Sequence, residues 1–272
     1  MRYATVWSTL CATLLWPAVA PSGPLEEAAR RVYARYAQSV VPVRAVVRIE
    51  IPRTGAGPQE RELTAWGTIV GSDGLTLVSA TSLSPLIGLE EVFESSGIQP
   101  QFSILRVRIR RHDGVEIPAR RLLTDDDQDV TALIPESEED RARPWPQPVQ
   151  FEPGAAAGLF DTLISLAGSA EMFGNAPIIG SAQVNGIVTH PRRLYLISRS
   201  FSHSTGTPVF LANGRPLGLT VVRRLTQAVS FARGQARVQQ AVVVLPSEDV
   251  SEMIRRAREV LSKETPKGND NP

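Results

Sequence analysis

The stretch His203-Ser204-Thr205-Gly206-Thr207-Pro208-Val209-Phe210 is followed by Asn213-Gly214 and then by Pro216-Leu217-Gly218-Leu219-Thr220. A loop of small and polar residues opens onto an apolar strand, Thr207 to Leu211. Asn213-Gly214 is a turn signal, because both residues tolerate the left-handed backbone of a tight hairpin. A second strand, Leu217 to Val222, returns from that turn. Alone this is a polar turn in front of a hairpin; its meaning depends on its neighbours.

Those neighbours are short strands. Leu25, Ala28, Ala29, Val32, Tyr33, Tyr36 and Ala37 first mark the apolar stripe of one amphipathic helix, which stops near Ser39 ahead of Pro42. Val43, Ala45, Val47, Ile49 and Ile51 then alternate with Arg44, Arg48 and Glu50, the period of a half-buried strand. Leu63 to Val70 and Leu75 to Ala80 flank Gly71-Ser72-Asp73-Gly74, and Ile104 to Arg110 and Val115 to Arg121 flank His112-Asp113-Gly114. Val130 to Ile134 is short and apolar. Pro135 to Pro153 is rich in Pro, Glu, Asp and Arg without apolar period, and reads as a connection between two halves. Beyond it come Thr162 to Ala167, Gln183 to Thr189, Leu194 to Ser198, the hairpin above and Ala241 to Leu245. Ser247 caps a final helix to Leu261, with Glu248 and Asp249 in its first turn. Many short strands between two terminal helices indicate an all-β barrel or sandwich.

At 272 residues, 42% hydrophobic and 21% charged, the chain buries a substantial core. A net charge of +1 gives no reason to expect nucleic acid as a partner, and the scattered arginines read as solvated strand faces. The N-terminus reads as an export signal over residues 1–22. Arg2 is basic, Val6 to Trp16 is mostly apolar, and Ala18-Val19-Ala20 offers small residues for cleavage. The apolar run is shorter than the ~20 residues of a spanning helix, so no membrane contact is expected unless this segment is retained. Cys11 is the only cysteine and lies within it, which leaves a mature chain no disulfide and no thiolate metal site.

In this order the pieces resemble the protease domain of HtrA-type (Deg-type) trypsin-like serine proteases, from about Ala37 to Glu264. Ser39-Val40-Val41-Pro42-Val43 looks like the family's opening strand. Ala65-Trp66-Gly67-Thr68-Ile69-Val70 and Ser72-Asp73-Gly74-Leu75-Thr76-Leu77-Val78 are similar to its G-S-G-x-I-I and D-G-x-I-L-T hairpin. Val107 to Ala119 matches a strand, D-G turn and strand. Asp125 to Leu133 resembles D-x-x-x-D-x-A-x-L, with Thr131 at the alanine. Phe160 to Gly168, Val184 to Thr189 and Ala241 to Val250 are similar to three later segments. The loop at Thr205 then falls where the family has G-N-S-G-G-P-L-V. The resemblance implies a chymotrypsin-like double β-barrel with short N- and C-terminal helices. Barrel one would span about 40–135, the linker about 136–153, barrel two about 154–245 and the closing helix 247–263, all within a peptidase domain of 23–272. Family members usually carry peptide-binding PDZ domains after that helix; none is expected here.

Acyl transfer on this fold needs a hydroxyl nucleophile, an imidazole base, an orienting carboxylate and backbone N–H donors for the oxyanion. Carried over residue by residue, Thr205 stands at the nucleophile, Asp129 at the carboxylate, and Thr81, counted from Gly74, at the histidine. A neutral hydroxyl cannot serve as a general base near neutral pH. Thr205 is internal, so an N-terminal amine cannot activate it. In the oxyanion loop, His203, Ser204 and Gly206 surround it; His203 replaces a glycine, and so does Thr207 beyond Gly206. Loss of nucleophile or base costs about 10⁶ in turnover.

His112, His190 and His203 lie in separate loops without paired spacing, so neither a metal nor a cofactor is expected. Trp66 and Trp145 read as packing residues. The expectation is an exported, periplasmic or extracellular pseudoprotease that binds a peptide or protein in or near the inter-barrel cleft. Two alternatives stay open: a peptidase with an unconventional site at Thr205, Asp129 and His203, and a structural subunit using the Leu25–Ala37 helix. The insert Ser84 to Ser103 is expected to pack rather than dock.

Overall fold

A computed structural model describes residues 23–52, 57–84, 100–198, 205–225 and 239–264. Helix α1 (Pro24–Tyr36) starts with proline at its first position, where a missing N–H costs nothing, and buries Ala28, Val32 and Tyr36 at four-residue spacing. Barrel one follows: β1 (Val40–Glu50), β2 (Gln59–Ile69), β3 (Thr76–Ser79), β4 (Gln101–Arg110), β5 (Glu116–Asp125) and β6 (Val130–Pro135). The short α2 (Glu138–Arg141), capped by Ser137 Oγ accepting from Asp140 N at 3.0 Å, lies in the connection. Barrel two holds β7 (Thr162–Gly168), β8 (Pro177–Val188), β9 (Leu194–Ile197), β10 (Pro208–Leu211), β11 (Pro216–Leu225) and β12 (Gln239–Pro246). Helix α3 (Ser247–Glu264) closes the described chain.

The strands form two closed six-stranded antiparallel barrels, in the order β1-β2-β3-β6-β5-β4 and β10-β11-β12-β9-β8-β7. Renumbered from one, the second cyclic order repeats the first. This is the double-barrel arrangement of chymotrypsin-like proteins. Alternation sets each face: Val43, Ala45 and Val47 of β1 are buried, while Arg44 and Arg48 point outward. β6 is buried along its whole length, because one face fills barrel one and the other meets the rest of the molecule.

A core shared by both barrels includes Leu77 and Ile134 of the first with Ile164, Leu166, Phe210 and Leu219 of the second. The terminal helices reinforce this joint by crossing over. α1 precedes barrel one yet packs on barrel two, with Tyr36 stacked on Phe210 at 5.4 Å and Tyr33 Oη donating to Pro177 O at 3.3 Å. α3 follows barrel two yet reaches barrel one: Arg258 pairs with Asp73, Arg256 with Asp125 at 2.7 Å, and Arg120 of β5 with Glu264.

Several strands extend beyond their sequence signals. β2 begins at Gln59 rather than Leu63, because the exposed Glu60 sits opposite Arg48 in register and pairs with it at 2.9 Å. β8 begins at Pro177 rather than Gln183, through Pro177 and Gly180, residues that sequence reading treats as breakers. The connection after β6 is also better anchored than its composition suggests: Val149 and Phe151 are buried, and Val149 N donates to Ile69 O at 2.9 Å. Trp145 donates to Asp140 O at 2.9 Å and covers Gly74.

Candidate functional site

Asp129 is fixed by backbone geometry before its side chain is considered. It ends the β5–β6 turn in the left-handed region at φ 58°, which Asp tolerates better than most residues. Its own carbonyl accepts from Ala80 N at 3.0 Å. The turn thereby delivers the carboxylate into the seam between the barrels, where it is 3% exposed. Oδ2 accepts from Ser79 Oγ at 2.6 Å and from Val222 N at 2.7 Å; Oδ1 accepts from Thr81 N at 2.6 Å. One donor ends barrel one's β3, one opens the turn that follows it, and one comes from barrel two's β11. No imidazole is among them.

After β3 the chain turns through one 3-10 turn, Thr81–Leu83. Thr81, the position obtained by counting from Gly74, is buried, and its backbone N–H serves Asp129. The side chain that faces the other barrel is its neighbour's: Ser82 Oγ lies 2.6 Å from Thr205 Oγ1, with either oxygen able to donate. Ser82 was not singled out by sequence counting. Val78-Ser79-Ala80-Thr81-Ser82 carries hydroxyls at three positions, and only the turn geometry decides which of them looks across the cleft.

The loop around Thr205 is held from behind. Gly206, at φ +81°, lies with its Cα against the backbone of barrel one; a Cβ there would collide with Trp66 O and come 3.0 Å from Ser79 N. Thr68 Oγ1 donates to Gly206 O at 2.8 Å, and Gly206 N donates to Thr220 O at 2.7 Å. Thr207 is fully buried, and its hydroxyl lies 3.0 Å from Thr220 Oγ1, which also accepts from Thr207 N at 3.0 Å. A threonine thus stands at the expected second glycine because Thr220 is opposite it. His203 and Ser204 lie outside the described residues, as does the unconventional site that would use His203.

The seam on either side is bridged by charge and by shape. Arg192 pairs with the carboxylate of Asp127, and Arg223 donates to that residue's carbonyl oxygen. On the other side, Trp66 of β2 presses its ring on Gly168 of β7, leaving no room for a Cβ there. His190 is exposed and hydrogen-bonds Thr189 Oγ1 at 3.0 Å; His112 is exposed in the β4–β5 turn. Among the described residues, no group of three His, Cys, Asp or Glu is arranged to hold a metal ion, and no helix is long and apolar enough to cross a membrane.

Chemically, the arrangement is a buried carboxylate held by three donors and a pair of neutral hydroxyls bonded to one another. A serine hydroxyl cannot remove the threonine proton at neutral pH. No protein-family model matches the chain, and no curated protein is similar enough in sequence to match it.

Proposed function

We propose that this is an exported protein of the HtrA-like trypsin fold that has lost peptidase chemistry and uses its inter-barrel cleft, or the surface beside it, to hold a peptide or protein partner. The observation that carries the reading is the 2.6 Å contact between Ser82 Oγ and Thr205 Oγ1. In a protease of this fold an imidazole faces the nucleophile, with its second nitrogen on the carboxylate. Here a serine side chain is too short to span both. Ser79 Oγ and two backbone N–H groups take up Asp129 instead. The carboxylate that would orient a base has become a clamp between barrels. Export, to the periplasm or the extracellular space, rests on Arg2, the apolar run Val6 to Trp16 and the small residues Ala18 to Ala20.

The reading is tested by exposing the purified protein to a fluorophosphonate probe, which reacts with activated hydroxyl nucleophiles. No labelling above that of the T205A variant is expected. Labelling of the native protein that disappears in T205A would establish a working nucleophile and overturn the reading. Partner binding is tested separately by peptide-library capture, repeated with substitutions in the cleft wall.

A further inference from the structure

The wall of barrel two is open along part of one strand. From Pro177 to Gln183, β8 pairs with β7 on one side, whereas β9 meets β8 only from Val184 onward. Hydrogen-bonded and non-bonded pairs alternate along an antiparallel ladder, and the two ends of the β7–β8 ladder fix its phase. Ser169 N donates to Ala176 O at 2.9 Å, and Val184 N donates to Asp161 O at 3.1 Å. Ile178, Gly180 and Ala182 therefore spend their backbone groups on β7, while Pro177, Ile179, Ser181 and Gln183 turn theirs to the outer edge. Both ends of that outer row are taken. Ser198 N donates to Gln183 O at 2.9 Å, Gln183 N donates to Ser198 Oγ at 3.0 Å, and Tyr33 Oη donates to Pro177 O at 3.3 Å. Between them, the N–H and C=O groups of Ile179 and Ser181 have no hydrogen-bond partner among the described residues.

Donors and acceptors alternating along an extended strand select another extended strand. Free edges are normally blunted by charged side chains, by bulges or by a covering element. Here neither β7 nor β8 contains a charged residue, and the β7–β8 register runs without a bulge. Ser181 is exposed and Ile179 half-buried. A strand added antiparallel to β8, in line with β9, would exchange both backbone bonds with Ile179 and both with Ser181. Its side chain opposite Gly180 would lie on the face that carries Ile178, 40% exposed, which favours an apolar residue there. The side chains before and after it would lie on the face of the exposed Ser181 and Gln183, which favours hydroxyls.

We propose that the outer edge of β8 at Ile179–Ser181 binds a short, uncharged, extended segment of a partner polypeptide by strand addition. The site is separate from the hydroxyl pair at the seam, and the proposal does not depend on what the cleft holds. The probe is acetyl-Val-Thr-Val-Thr-Val-amide, added at millimolar concentration to the purified full chain, with amide hydrogen exchange read residue by residue. In the free chain Ile179 and Ser181 should exchange quickly while Gly180 and Ala182, bonded to β7, exchange slowly. The peptide should slow exchange at Ile179 and Ser181. Methyl groups on both threonine nitrogens remove the donors that face β8 and should weaken binding about tenfold. Methyl groups on two valine nitrogens, which face solvent, should leave it unchanged. S181P removes an edge donor that β7 does not use and should weaken the peptide in the same direction; the methylated peptides test the same bond on the native chain. Unchanged exchange at Ile179 and Ser181 with peptide present, or equal weakening by both methylation patterns, would overturn the proposal. So would slow exchange at these two amides in the free chain: persisting on dilution, it means that the chain covers its own edge, and lost on dilution, that a second copy does. Peptide binding lost in S82A/T205A, with exchange at Ile179 and Ser181 unmoved, would place the peptide in the cleft, overturning this inference while leaving the cleft reading intact.

Discussion

Thr205 keeps the hydroxyl of a nucleophile, but the residue it meets is another hydroxyl, and the consequences are structural before they are chemical. Asp129 carries three hydrogen bonds, two within barrel one and one across the seam from Val222 N. Removing its carboxylate strands buried donors from both barrels, so D129A should cost about 3 kcal/mol of unfolding free energy, read from urea midpoints. Its loss should be felt in folding. Gly206 is the other residue the site cannot exchange. With φ at +81° and the Trp66 carbonyl against its Cα, G206A should cost about 2 kcal/mol or more. At this scale the sequence was only partly legible. Asp129 and Thr205 come within one hydrogen-bonded seam, as their order along the chain suggests. Counting from Gly74 gives Thr81, whose backbone N–H serves Asp129; that the next residue, Ser82, meets Thr205 depends on a single 3-10 turn that a count does not describe. Thr207, read as a lost glycine, is explained by Thr220, a partner thirteen positions away in sequence that only the strand pairing brings near.

The elements that hold the site are tied down by reciprocal packing of the two terminal helices on the opposite barrel. Met253 of α3 is fully buried in the shared core, so M253A should destabilise by about 3 kcal/mol. The helix also carries an acid-sensitive fastening. Burial pushes the Asp73 carboxyl up, but the hydrogen bond and charge of Arg258, with the Leu75 N–H, outweigh it and hold the group below its ordinary 3.8. Asp125 behaves alike: burial raises it, while Arg256 and the Gln128 N–H bring it below 3.8. Carboxylates depressed in the folded state lend stability that is complete above the unfolded value and lost as pH falls through the folded one. Asp249 has the opposite sign. Burial, with Glu248 and Asp125 close by, raises it despite Arg192 and Arg223, so its penalty is relieved as pH falls through its raised value. Stability should therefore hold or rise slightly on first acidification and drop below about pH 3.8. In R258A the drop should be shallower, measured as the urea midpoint against pH. The helices themselves were legible from their apolar spacing. Their crossing was not, because spacing identifies a buried face without naming what covers it. The polar start of β2 was missed for a related reason: Glu60 belongs to a strand through Arg48 on β1, not through its own propensity.

Across the whole molecule, two barrels of identical strand order share one core and are bridged by Asp129, by Trp66 on Gly168, and by ion pairs such as Arg44–Glu171. They are expected to unfold together. Tryptophan fluorescence and far-ultraviolet circular dichroism should report one coincident urea transition, and two separated transitions would show that the shared core contributes less than its burial implies. The fold class was readable from short strands, turn signals and the order of the pieces. The repeated strand order was not, since topology is set by hydrogen-bond pairing rather than by particular residues. At the seam Ser82 Oγ lies 2.6 Å from Thr205 Oγ1, and the proposed reading sets Ser82 at the base position of a protease-like frame. It is tested most directly by fluorophosphonate labelling of the variant S82H/T205S/H203G/T207G beside its counterpart with T81H in place of S82H, both verified as folded by circular dichroism. Labelling of the S82H variant alone is expected. Labelling of the T81H variant alone, or of neither folded variant, would contradict the placement of Ser82 at the base position.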